Sequence, residues 1–354
     1  MDAAPKPVDD AVLEDLRRRL RSSRYVRGVF GSWERGTNAT YLTDLVEYWA
    51  DHYDWRAAEE RIRGLPWARH RGMRAIHQRA EDPAAPVVVL LHGWPDSVLR
   101  FERVLPLLTD VHVVVPTLPG YPYSDMPASS GAAMADPVAA LLAELGHERY
   151  VVSGGDIGTS VAESLARRQP EHVAALHLTD VPSRHLARFP EDQWSAAERR
   201  YSEQTAEWQR QEGAYLAEQA TKPNTLSAAL GDSPTGLAAW IVEKLRGWSD
   251  CGGDVESVFP RDDLLTWISL YWLTATIGTS FGPYALREPP VPGRVQAPTA
   301  VHLFPADLLH APREYAERVF DIRGWDEAPS GGHFAAWEQP ETFVAGLRRA
   351  IALA

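Results

Sequence analysis

The residues Tyr150-Val151-Val152-Ser153-Gly154-Gly155-Asp156-Ile157-Gly158-Thr159-Ser160 read as a strand, a sharp turn and a helix. An apolar, β-prone run ends in small residues, one Asp stands at the crest, and helix-forming sequence follows at once. Glycines on both sides of a single reactive side chain mark a nucleophile elbow. Such a turn is so tight that only small neighbours fit, and the crest side chain is pushed out past the end of the sheet. Taken alone, Asp156 reads equally well as the N-cap of the following helix. A phosphate-cradling loop fits poorly: a G-x-G-x-x-G pattern would place its first glycine at Ser153, and a carboxylate at the helix start repels phosphate.

Outward from this turn, strands and helices alternate. Val87 to Leu91 and Val111 to Val115 are continuous apolar runs, as strands buried on both faces should be. A helix is expected over Ala132 to Leu145, a strand at Tyr150 to Val152, a helix over Ile157 to Arg168 ended before Pro170, and a strand over Val173 to Leu178. After Pro289-Pro290-Val291-Pro292, a stiff linker, the pattern resumes with a strand at Thr299 to Leu303 and helices over Pro312 to Phe320 and Pro340 to Ile351. Alternation of this kind means a mostly parallel α/β sheet flanked by helices, with right-handed crossovers. Residues 184–291 break it. They read as helical and rich in Trp and Tyr, with one stripe on Leu237, Trp240, Ile241, Leu245 and Trp248. The leading residues 1–85 read as a helical wrap, with stripes on Val12, Leu13, Leu16, Leu20 and on Leu42, Leu45, Val46, Trp49. The expected division is a wrap (1–85), a first core part (86–183), a helical lid (184–291) and a second core part (292–354).

Bulk properties narrow the function. The formal net charge of −12 argues against a nucleic-acid or anionic-membrane surface, both of which call for a basic face. Cys251 is the sole cysteine, which leaves no internal disulfide and no cysteine-based metal site. Met1 to Asp10 is polar and acidic, unlike a signal peptide, and no apolar run approaches the ~20 residues of a membrane span. The longest, Leu264 to Gly278, reads as a buried helix. A cytoplasmic protein without a membrane anchor is expected.

Two further motifs give the elbow partners. Leu91-His92-Gly93-Trp94-Pro95 directly follows the first core strand. In the α/β-hydrolase arrangement this loop supplies one oxyanion-hole N–H and the residue after the nucleophile supplies the other, here Trp94 and Ile157. Ser330-Gly331-Gly332-His333-Phe334 puts a histidine in a Gly-rich loop before the last helix, where that fold keeps its general base. Asp307 fits the chain order nucleophile, acid, base; Asp321 and Asp326 are its rivals.

With these residues the chain resembles an epoxide hydrolase of the α/β-hydrolase superfamily, in the branch that includes the microsomal enzymes, over nearly its whole length. The resemblance runs through Leu45-Val46-Glu47-Tyr48-Trp49, Tyr53-Asp54-Trp55, His92-Gly93-Trp94-Pro95, Leu118-Pro119-Gly120-Tyr121, Gly154-Gly155-Asp156, Asp232-Ser233-Pro234-Thr235-Gly236-Leu237 and Gly332-His333-Phe334-Ala335-Ala336. It implies an α/β-hydrolase fold with an inserted helical lid and a helical N-terminal extension. It also implies Asp156 as nucleophile, His333 as base and Asp307 as orienting acid, with lid tyrosines Tyr215 and Tyr284 donating to the epoxide oxygen. The implied reaction joins an epoxide and water into a vicinal diol through an Asp156 ester, with no metal and no organic cofactor.

Departures are informative. Ile157 stands where relatives often carry Trp, which weakens a haloalkane dehalogenase reading, since that enzyme needs an N–H donor for halide. A non-catalytic ligand-binding member of the fold is the remaining alternative, although every catalytic position is filled. Asp96 replaces a small residue after His-Gly-Trp-Pro and is expected to add a charge near the entrance. The aromatic lid (Trp194, Trp208, Trp240, Trp248, Trp267, Trp272) points to an apolar epoxide, bulky or aromatic ones included. A tailoring role in secondary metabolism is set ahead of detoxification, and a homodimer is left open.

Overall fold

A computed structural model describes residues 3–25 and 31–354 of the chain; Met1 and Asp2 of the polar leading segment lie outside the described residues. The leading segment opens with α1 (Asp10–Arg21), α2 (Ala39–Asp51) and α3 (Trp55–Arg63). Leu13, Leu16 and Leu20 recur on one face of α1 and are buried, while its arginines face outward. Asn38 starts α2 by accepting the Thr40 and Tyr41 N–H groups, as Asn does at an N-cap.

The sheet begins earlier than the apolar runs suggest. β1 (Trp67–His70) and β2 (Met73–Gln78) form an antiparallel pair inside the segment expected to be helical, followed by β3 (Val87–Leu91), β4 (His112–Pro116), α4 (Ala135–Glu144), β5 (Tyr150–Gly154), α5 (Ile157–Arg168) and β6 (Val173–Leu178). β1 and β2 carry Arg69, Arg74 and His77, so they lack the unbroken apolar signature; Arg74 is accommodated by donating to the Tyr123 carbonyl and to Asp125 at 3.1 Å.

Six helices then form an insertion: α6 (Ala196–Gln211), α7 (Ala214–Thr221), α8 (Pro223–Asp232), α9 (Pro234–Trp248), α10 (Arg261–Leu273) and the short α11 (Gly282–Ala285). A capping box between Ser195 and Glu198 starts α6. The apolar run expected to be a buried helix is α10, whose residues Leu264 to Tyr271 are all buried. Among the described residues no helix is long and apolar enough to cross a membrane.

The chain ends with β7 (Val295–Leu303), α12 (Arg313–Val319), β8 (Phe320–Glu327), α13 (Ala335–Glu338) and α14 (Pro340–Ile351). β8 is a third strand the apolar runs do not announce, because it is a polar edge strand. The eight strands lie in the order β1-β2-β4-β3-β5-β6-β7-β8, parallel from β4 to β8 and antiparallel at β1/β2 and β2/β4. The strand order reverses direction around β3, so β3 and β5 lie side by side at the centre, with Leu91 opposite Gly154. Open α/β sheets place their ligands at the carboxyl ends of such strands.

The leading segment grips the insertion. Arg19 donates to the Asp232 carbonyl at 2.9 Å, Thr37 to Ala239 O at 2.7 Å, and Tyr48 to Asp262 at 2.9 Å. Tyr41 meets Glu256, and Tyr53 meets Thr266 in the interior, both at 2.9 Å.

Candidate active site

Asp156 sits at the end of β5 with φ 57° and ψ −124°, a left-handed backbone that few side chains adopt. Although it occupies the N-cap position of α5, its side chain makes no capping hydrogen bond. The cap reading that the sequence left open therefore does not describe it. The glycines around it are required by contact: a Cβ on Gly93 would lie 2.5 Å from Asp156 Oδ1, and one on Gly154 the same distance from the Gly158 carbonyl. The freed carboxylate turns toward the loop after β3. Trp94 N–H donates to Asp156 Oδ1 at 2.9 Å, and the Ile157 N–H lies near enough to favour the charge on the same carboxylate. Burial pushes the Asp156 carboxyl above its ordinary value, against the pull of His333 and the two N–H donors.

His333 comes from the loop between β8 and α13. Its own N–H donates to the Trp248 carbonyl at 2.8 Å, which ties this loop to α9. Its Nδ1 meets Asp307 Oδ1 at 2.7 Å, and its Nε2 faces Asp156 Oδ2 at 3.8 Å. No protein group among the described residues hydrogen-bonds Nε2. Burial alone would lower the imidazole pKa; Asp307 and then Asp156 outweigh it and raise the value to about 9. Burial likewise works against the Asp307 charge, but the His333 cation overcomes it and holds this carboxyl below its ordinary value.

The rivals for the acid are elsewhere. Asp321 and Asp326 lie on β8, where Asp321 pairs with Arg294 and Arg323, both at 2.9 Å, and Asp326 pairs with Arg349.

Tyr215 on α7 and Tyr284 on α11 come together above the elbow, ring centroids 6.1 Å apart. Trp94 organises them: Tyr215 stacks on its indole at 5.4 Å and 6°, and Tyr284 meets it edge-on at 5.9 Å. Both phenols are buried, and burial, with the Asp156 charge second, holds both well above the ordinary tyrosine value, so both stay protonated. The Tyr284 hydroxyl has no hydrogen-bond partner among the described residues. A buried unpaired donor is uncommon unless something outside the fold completes it.

Asp156, Asp307, His333 and both tyrosines line one cavity of about 510 Å³, with Ile157, Trp208, Leu216, Leu308 and Leu309 among its apolar walls. Two residues shape it that the sequence reading missed or misplaced. Asp180, just past the end of β6, accepts the Asp156 N–H at 3.0 Å and the Thr159 hydroxyl, and burial pushes it up to about 6. Its signal was position alone, at the carboxyl end of a parallel strand. Asp96, expected near the entrance, is instead 1% exposed. It accepts the Gly93 N–H at 2.8 Å and pairs with Arg100 at 2.6 Å, and Arg100 also donates to the His333 carbonyl. The charge is thus an internal strut between the two site loops. Among the described residues no cluster of side chains suits a metal ion.

This arrangement can deliver a carboxylate to an electrophile, donate hydrogen bonds from the opposite side, and then draw a proton from water. Residues 4–101 match the family described as epoxide hydrolase N terminus, and residues 86–237 match the alpha/beta hydrolase fold. A Stigmatella aurantiaca protein assigned to the epoxide hydrolases is 38% identical, over 96% of this chain and 82% of its own.

The chain belongs to the epoxide hydrolase family.

Epoxide hydrolase 1 of Sus scrofa is 29% identical to this epoxide hydrolase, over 97% of this chain and 87% of its own. Among solved structures, the Aspergillus niger epoxide hydrolase superposes with a TM-score of 0.84 at 28% identity, covering 99% of this chain and 97% of that one. The juvenile hormone epoxide hydrolase of the silkworm Bombyx mori gives 0.85 at 27% identity, covering 98% and 93%. The fold is the α/β-hydrolase fold, and the activity that of an epoxide hydrolase acting on an epoxide and water.

Proposed function

We propose that this epoxide hydrolase opens an apolar epoxide to a vicinal diol through an ester on Asp156. The 2.7 and 3.8 Å row from Asp307 through His333 to Asp156 carries the reading. Asp156 Oδ1 is already engaged by the Trp94 N–H, which leaves Oδ2 to attack an epoxide carbon. As the C–O bond breaks, negative charge grows on the epoxide oxygen, and Tyr215 and Tyr284 donate to it from the opposite wall. Attack and protonation from opposite sides suit an in-line displacement.

In the second half, Asp307 holds the His333 imidazole so that Nε2 faces the ester. Nε2 takes a proton from water, and the hydroxide attacks the Asp156 carbonyl carbon. Charge then collects on Oδ1, where the Trp94 and Ile157 N–H groups stabilise it, typically by a few kcal/mol per donor. Collapse releases the diol and restores the carboxylate. His333 must be neutral to act, yet it is held as the cation while Asp156 is charged. Forming the ester removes that charge and lowers the imidazole pKa, so His333 yields its proton, which neutralises the alkoxide left by ring opening, and the base is produced when it is needed.

The aromatic and aliphatic walls support an apolar substrate, bulky or aromatic ones included; a tailoring step in secondary metabolism is the role proposed with it. The lid (184–291) supplies the donors and the core (86–183 and 292–354) the nucleophile, while β1 and β2 of the expected wrap (1–85) join the core sheet. The test is His333→Gln incubated with a panel of apolar epoxides and analysed by mass spectrometry. An epoxide-sized adduct on the peptide carrying Asp156 is expected; an adduct on another residue, or none while wild type forms diol, refutes the assignment.

A further inference from the structure

The floor and the mouth of the cavity differ in charge. Asp156, Asp180 and Asp307 lie at the floor with His333, whereas Arg167, Arg168, Arg184 and Arg287 line the outer part against only Glu163 and Glu288. This basic mouth belongs to a chain of net charge −12, so it is not a sample of the general surface. Most of its charges are engaged. Glu163 is buried between Arg184 at 2.7 Å, Arg167 at 3.0 Å and His185 at 3.0 Å. Arg168 pairs with Asp136 at 2.8 Å, and Glu288 accepts from the Ser130 hydroxyl.

Arg287 differs from the others. It is exposed, three residues beyond Tyr284, and among the described residues it has neither an ion-pair partner nor a hydrogen bond. Its charge nevertheless bears on the Tyr215 phenol, which places it within reach of the reacting centre. An unpaired guanidinium at the rim of an apolar cavity offers a planar pair of donors matched to a carboxylate.

We propose that this mouth is an anion subsite in which Arg287 binds the carboxylate of an amphiphilic substrate, an apolar epoxide carrying one acid group at its far end. The inference rests on the proposed Asp156 chemistry and adds the substrate class. One uncommitted cation matches one negative charge. The three carboxyl groups at the floor repel a substrate anion, so the acid end is directed outward and the epoxide inward. Long-range attraction to the basic mouth speeds capture, an effect that salt screens.

The experiment compares a mid-chain epoxy fatty acid with its methyl ester, below micelle-forming concentrations, with styrene oxide as a small neutral control. kcat/KM is measured for wild type and Arg287→Gln at low and high ionic strength. Wild type is expected to favour the acid over the ester by about tenfold, through KM, with the preference shrinking as salt rises. Arg287→Gln removes the preference, and any smaller change on the ester, transmitted through the Tyr215 phenol, is matched on styrene oxide. Equal or better turnover of the ester by wild type, equal losses on acid and ester in the variant, or turnover of styrene oxide but of neither long-chain compound overturns the subsite. If no epoxide gives diol, the Asp156 reading itself has failed, a result distinct from all of these.

Discussion

Replacing Asp156 with Asn isolates the electrostatic coupling on which the second half-reaction depends. The side chain keeps its size and loses its charge, as it does when the ester forms. With Nε2 3.8 Å from Oδ2, an interaction at an effective dielectric of about 20 is worth about 4 kcal/mol, or about three pKa units. Burial opposes the His333 cation, and Asp307 outranks Asp156 among the influences that raise it to about 9. The full figure is therefore an upper bound, and His333 in the variant should titrate at roughly 6 to 7. The assay is an NMR pH titration of the His333 ring signals in wild type and variant. The sign extends to stability. A raised pKa contributes stability in full below the unfolded value and loses it as pH rises through the folded value. For wild type that loss falls between 6.5 and about 9, and in Asp156→Asn it should nearly vanish. A variant imidazole that still titrates near 9 refutes the coupling, and with it the idea that ester formation switches on the base.

Two other outcomes follow from the geometry. Arg100→Met strands Asp96 as a buried carboxylate beside the Gly93 N–H and His92, and should cost about 3–5 kcal/mol in urea unfolding at pH 8, less at pH 5, where a carboxyl raised by burial begins to take up a proton. A loss below about 1 kcal/mol would show that the strut is not structural. Tyr215→Phe and Tyr284→Phe should each slow ester formation by about tenfold, and the double variant by about 10²-fold, in single-turnover measurements with hydrolysis of the ester unchanged; an equal slowing of both steps would argue that the phenols only pack.

The centre of the sheet was legible because its strands are apolar on both faces. Val87 to Leu91 and Val173 to Leu178 need no partner to be recognised, and α5 occupies the predicted Ile157–Arg168. β1, β2 and β8 were not legible, since they carry charge, β1 and β8 at the two edges and β2 between β1 and β4: Phe320-Asp321-Ile322-Arg323 alternates too briefly to stand out from loop sequence. The glycines flanking Asp156 announced the elbow, and chain order with the family resemblance favoured Asp307 over Asp321 and Asp326; the fold gives the latter two arginine partners and puts Asp307 against His333. Asp96 carried a signal that went unread. Arg100 stands four residues on, and a carboxylate followed at that spacing by an arginine can be neutralised locally and buried.

The contacts from the leading segment divide the insertion mechanically. They reach the end of α8, then α9 and α10, which makes that half a wall held by hydrogen bonds to a segment that itself runs on into the core sheet at β1. Tyr215 and Tyr284 stand on α7 and α11, outside those contacts, yet both lean on Trp94 of the core. The proposed donors are thus registered to the nucleophile by the Trp94 indole, with Trp248 of α9 supporting Tyr215 from the insertion at 5.1 Å. α6, α7 and the stretch around Arg287 can consequently change in sequence to admit differently shaped substrates while the alignment of acid and nucleophile is kept.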